Sequence, residues 1–192
     1  MNFFTSLFKY KDLQQKIIFS LIMLFVYRLG SHIPITGIDL SSLNSLRSNN
    51  SLISFIDLFS GGSLSRFSIF ALGILPYINA SIIIQMMSFV LPELKSILEE
   101  GEAGRKKISQ WTRYLTVILA VVQSIVIAIG FKSFLVADVS YSFFLIYSII
   151  GLVAGACLVM YIGEIMTEYG IGNGASILIF VGIISQMPFY VK

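Results

Sequence analysis

The sequence predicts an all-α membrane protein: five transmembrane helices and a short re-entrant segment between the first and second. Three observations lead there. Hydrophobic residues make up 56% of the 192 and charged residues only 12%, more apolar surface than a soluble core of this size can bury. Mean hydropathy is +0.88. Finally, the apolar residues fall into five runs near the roughly 20 residues that a helix needs to cross about 30 Å of hydrocarbon.

Taken in order, the first span is expected at about 17–35. Lysines precede it as in a signal peptide, yet no small-x-small cleavage site comes before Tyr27 and Arg28, so it is read as a retained span. Arg28, Gly30, Ser31 and His32 weaken its outer third, which should contact protein or headgroups rather than lipid tails. Ile38 to Ser54, rich in Ser and Asn, is an external loop. The second run, 67–91, is too long to be one straight span. Its beginning, up to about Gly73, is read as a separate short helix that returns without crossing, leaving a span at 73–91 interrupted by Pro76, Asn79 and Gln85. A proline frees a backbone carbonyl, and the two amides need partners where water is absent, so this helix is expected to bend and to face protein or a wet cavity. The remaining spans are 114–131, 141–163 and 174–191, with Trp111 and Tyr114 as an interfacial belt.

Lys9, Lys11 and Lys16 precede the first span, and Lys95, Arg105, Lys106, Lys107 and Arg113 fill the connection after the second. The excess of cations on that side puts the N-terminus in the cytoplasm or its organellar equivalent, with the C-terminus opposite. An odd span count matters because two such units in tandem have inverted topologies, a common basis for transport pathways. The net charge of +3 comes from these flanking clusters. No basic face interleaved with aromatics emerges, so no nucleic acid partner is expected.

Several motifs carry both a plain and a functional interpretation. Leu58, Phe59, Ser60, Gly61, Gly62, Leu64 and Arg66 form a glycine-hinged stretch, either an ordinary turn or a movable re-entrant segment. Ile74 and Ile78 share a helical face, as lipid or core contacts or as part of a seal that closes an aqueous path by dewetting. Gly151 and Gly155 make a small-xxx-small pattern suited to close helix packing. The stretch 99–107 mixes acids and bases as a solvated turn, and Glu164 and Glu168 are read as a solvated helix end. One cysteine, Cys157, and one histidine, His32, support no disulfide, metal centre or nucleophilic triad. No catalytic, cofactor-binding or metal site is expected.

Five blocks carry a family resemblance: Tyr27 to Pro34, Leu58 to Gly62, Phe70 to Ile78, Glu100 to Gln110, and Glu168 to Gly174. Through them the chain resembles SecY, the channel subunit of the bacterial and plastid protein translocase. The resemblance implies one half of a ten-helix inverted repeat, and export or membrane insertion of proteins without bond chemistry. It also implies a short plug helix at about 52–66, and a pore constriction to which Ile74, Ile78 and Ile179 belong, with Asn79 and Gln85 facing the pore. Implied partners are SecE and SecG-type small membrane subunits, the SecA motor ATPase or the ribosome, signal-sequence-bearing polypeptides and the missing C-terminal half. The implied location is a bacterial inner membrane or a plastid thylakoid. Two rivals stay open on the residues alone, half of a small-solute secondary transporter and an assembly subunit without a conduit.

Overall fold

A computed structural model describes residues 11–38, 57–135 and 140–190 of the chain. The helices are α1 (Lys11–Gly30), α2 (Leu75–Val90), α3 (Pro92–Glu99), α4 (Glu102–Gly130), α5 (Tyr141–Tyr169) and α6 (Gly174–Tyr190), with one 3₁₀ turn at Lys132–Phe134. Among the described residues no strand forms; the extended bridges are isolated ones, Pro34 with Ser68 and Ile38 with Leu135.

Helix α5 is the scaffold. It packs against α1, α4 and α6 and touches α2, and its residues from Phe144 to Met166 supply much of the core. Its contacts explain the use of small residues. A Cβ on Gly155 would fall 2.0 Å from the Ile69 carbonyl oxygen, and one on Gly151 would meet the Ile35 side chain at 3.4 Å. The small-xxx-small face therefore receives the chain around residues 35 and 69, not the backbone of a second helix.

Three helices, α1, α4 and α5, are long and apolar enough to cross a membrane, and α2 with α3 makes a fourth if the bent pair counts as one span. Helix α6 is apolar but shorter. The bend between α2 and α3 is 102°. It sits at Leu91, held extended (φ −96°, ψ 115°) as the residue before a proline must be, and Pro92 opens α3.

Four expectations change here. Pro76 does not bend α2: it lies in the first turn, where a missing N–H costs nothing. The stretch 67–73 is not a helix. Residues 60–74 run as successive turns around one bridge, because Gly61, Gly62, Phe67 and Gly73 all take positive φ, which a right-handed helix cannot contain. The expected solvated turn 99–107 is mostly helical, since α4 begins at Glu102 and continues unbroken into the apolar run. Glu164 is no free helix end, for its carboxylate accepts a 2.9 Å bond from Arg113 Nε.

Candidate functional site

The site is built on the chain between α1 and α2. At the end of α1 the carbonyl of Arg28 accepts a bond from Ser31 Oγ (2.7 Å), and His32 Nδ1 lies 2.8 Å from the same oxygen. These groups satisfy the helix terminus. The chain then runs back along the turn segment, with Ile35 N–H donating to Phe67 O (2.8 Å) and Ile69 N–H to Ile33 O (3.1 Å).

Within the turn segment Asp57 is fully buried and organises its own surroundings. One of its carboxylate oxygens accepts from the Ser65 N–H at 3.0 Å and from Ser60 Oγ at 3.2 Å, and the other accepts from Ser65 Oγ. Its carbonyl accepts from Gly62 N–H at 3.0 Å. A buried carboxylate is tolerable when several donors reach it, and here all of these come from residues 60–65.

The glycines bring this turn onto α6. Gly61 (φ 67°) lies over Gly182, and the place of a Cβ on Gly62 (φ 81°) is filled by the Gln186 amide. Leu64 is buried beside Phe67 in the apolar core. Leu58 and Phe59 are half-buried. At the far end Arg66 has a buried Nη1 without an acceptor, as have the hydroxyls of Ser63, Ser68 and Ser148. Residues 52–56 of the expected plug helix lie outside the described residues; of the rest, 57–59 are helical and 60–66 are successive turns.

Ile74, Ile78 and Ile179 come together. All three belong to one apolar cluster with Tyr27, Phe70 and Leu178. Ile74 is buried at its centre, while Ile78 and Ile179 are half-buried. Asn79 and Gln85 lie on the uncovered side of α2 with Ile82, Met86 and Phe89; Gln85 finds only the Ser81 hydroxyl of its own helix, at 3.2 Å. The buried side of α2 is Pro76, Ala80, Ile84 and Ser88. Two polar side chains thus stand among large apolar ones on a helix face that the described residues leave exposed.

Two residues of this arrangement escaped the motif search, Arg28 as a ligand of the turn and Asp57 as its organiser. Both carried one usable signal, a charge embedded in apolar sequence. Ser60 stands at a helical spacing from Asp57, but the partners of Arg28, Gly61 O and Ser185, lie 33 and 157 residues away.

Fold and site together define a multi-helix membrane protein in which a buried turn segment between α1 and α2 is seated on α6. The SecY family profile matches residues 68–192. The chain is 47% identical to the protein translocase subunit SecY of Buchnera aphidicola subsp. Acyrthosiphon pisum, over 98% of this chain and 44% of that protein. It is also 47% identical to the subunit of the same name from Escherichia coli K12, over 92% and 41%. Among solved structures it resembles one described as that of a protein conducting channel, with a TM-score of 0.65, 21% identity, and 92% of this chain and 37% of that one covered. A second, equal in score and coverage, is Sec61 in the canine ribosome-channel complex from the endoplasmic reticulum. The chain belongs to the SecY family. It spans less than half the length of these relatives.

Proposed function

We propose that these 192 residues form the N-terminal half of a protein-conducting channel: five spans with the N-terminus cytoplasmic, a stopper built on the 57–66 turn, and a constriction to which Ile74, Ile78 and Ile179 contribute. The observation that carries this is the gathering of the three isoleucines in one cluster beside an α2 face bearing exposed Asn79 and Gln85. Apolar side chains at a narrow point hold back water and ions when no polypeptide is present, and yield to an extended chain without binding it. The polar face beyond them would be costly against lipid, which argues for a wet, protein-walled space.

The rest of the ring and the facing wall come from sequence outside these residues, on the same or another polypeptide. SecE and SecG-type subunits, SecA or a ribosome, and signal-bearing polypeptides are the partners in this function, and the membrane is the bacterial inner membrane or the thylakoid. Alone, the half leaves its polar face uncovered and does not conduct polypeptide.

The test is a photocrosslinker at Ile78, with the complementary half supplied and a secretory polypeptide stalled in transit. Crosslinks to the stalled chain are expected. Their absence, in an assembly that still exports, would leave an assembly subunit as the function.

A further inference from the structure

Arg28 Nη1 donates to the carbonyl of Gly61 at 3.1 Å and to Ser185 Oγ at 3.1 Å. The Ser185 hydroxyl in turn donates to Gly182 O at 2.7 Å, and Gly182 is the residue on which Gly61 rests. One guanidinium on α1 therefore holds both the tip of the glycine turn and the patch of α6 beneath it.

We propose that Arg28 is the latch of the stopper: a positioning residue whose two bonds keep the 57–66 turn seated on α6, and whose release frees that turn to swing as a unit. This rests on the channel function proposed above. Three features make the turn separable. Its buried carboxylate is bonded by residues 60 and 65 of the same turn, so those bonds travel with it. At Gly61 the approach is to the Gly182 backbone and the Ser185 hydroxyl, and at Gly62 it is to the movable amide end of Gln186, so Leu64 is the apolar side chain that must be withdrawn from the core. Next along the chain, Phe67 is fully buried and anchored, so motion is confined to the residues before it. A charged donor on a neutral carbonyl is also exchangeable, since water or the carbonyls of a passing polypeptide can take the same N–H groups.

Ser63 and Ser148 supply a matched pair of reporters. Both are fully buried with hydroxyls that bond nothing, so Ser→Cys removes no hydrogen bond at either. The 192-residue chain, with Cys157→Ala to remove its one cysteine, is placed in lipid nanodiscs and labelled with a membrane-impermeant maleimide. With Arg28 intact, Cys at 63 and Cys at 148 should both react slowly. Arg28→Gln should speed labelling at 63 roughly tenfold or more, through local opening, and leave 148 unchanged. An unchanged rate at 63 would overturn the latch, and equal acceleration at both positions would overturn it in favour of a general packing role for Arg28. The labelling requires no transport, so a chain that shows the opening yet, in an exporting assembly with the complementary half supplied, never crosslinks a stalled polypeptide would refute the channel function and leave the latch standing.

Discussion

The two ends of the re-entrant segment are both buried but are held by different forces. Between Asp57 and Arg66 the contacts with the rest of the molecule include the Arg28 guanidinium, the Gly182 backbone and the Gln186 amide, with Leu64 buried in the apolar core. From Phe67 to Ile74 the attachment is aromatic and aliphatic. The Phe67 ring lies 5.1 Å from Phe131 and 6.0 Å from Phe144, between centroids, and Phe70 stacks on Tyr27 at 5.8 Å. Polar bonds can be exchanged for water one at a time, whereas a packed ring must be withdrawn whole. The difference makes one end a hinge-mounted flap and the other its fixed post.

Substitutions at the post should cost most. Phe67→Ala removes a fully buried ring and should lower stability by about 3–5 kcal/mol, measured by denaturation in mixed detergent micelles. Phe67→Gly loses the same ring, but at φ 44° a glycine carries no backbone strain, so it should be about 1 kcal/mol less damaging than alanine. Equal losses would mean that the positive φ stores no strain.

Gly155→Ala tests the socket behind the post. Alanine is the better helix former by about 1 kcal/mol, yet its Cβ would strike Ile69 O at 2.0 Å. A backbone oxygen fixed by its neighbours cannot step aside, so the clash should win, with a net loss of about 1–3 kcal/mol. A raised melting temperature would show that the 67–74 stretch gives way more easily than its packing implies.

At the flap the effect should be smaller on stability and larger on seating. Gly62→Val puts a β-branched residue at φ 81°, straining the turn by about 1–3 kcal/mol, and it displaces the Gln186 amide, the movable end of a side chain. In a complete channel this should unseat the stopper and raise ion leak between translocation events. Unchanged leak and unchanged export would count against a movable stopper.

Smallest should be Arg113→Gln in the N-terminal half of α4. The Arg113 side chain is 51% exposed but that of Glu164 only 14%, so loss of the pair should cost about 1 kcal/mol, part of it from leaving the carboxylate without its donor, and less at high salt. A loss of several kcal/mol would move this pair from the periphery of the account to its centre.

Much of the fold was legible because composition and run length report directly on the membrane as solvent. Most of each apolar run lies in a helix, the second from Leu75 onward, and Asn79 and Gln85 were visible as polar residues inside that run, whereas the grouping of Ile179 with Ile74 and Ile78 came only through the family resemblance. Pro76 was misread because a proline signals a break without saying on which side the helix lies; here the helix begins at the proline. The stretch 67–73 looked helical because its apolar content hides its geometry. Only tertiary contact explains a phenylalanine at positive φ, and no local pattern announces one. The Arg28 bonds to Gly61 and Ser185 span 33 and 157 residues of sequence, beyond the reach of any periodicity.

Hydrogen exchange across the re-entrant segment, read by mass spectrometry on the chain in nanodiscs, tests the contrast between flap and post most directly. Amides of residues 60–66 should exchange at least about tenfold faster than those of 67–74, and Arg28→Gln should widen the gap by accelerating the first group alone. Equal protection on both sides of Phe67, or faster exchange in 67–74, would contradict the account.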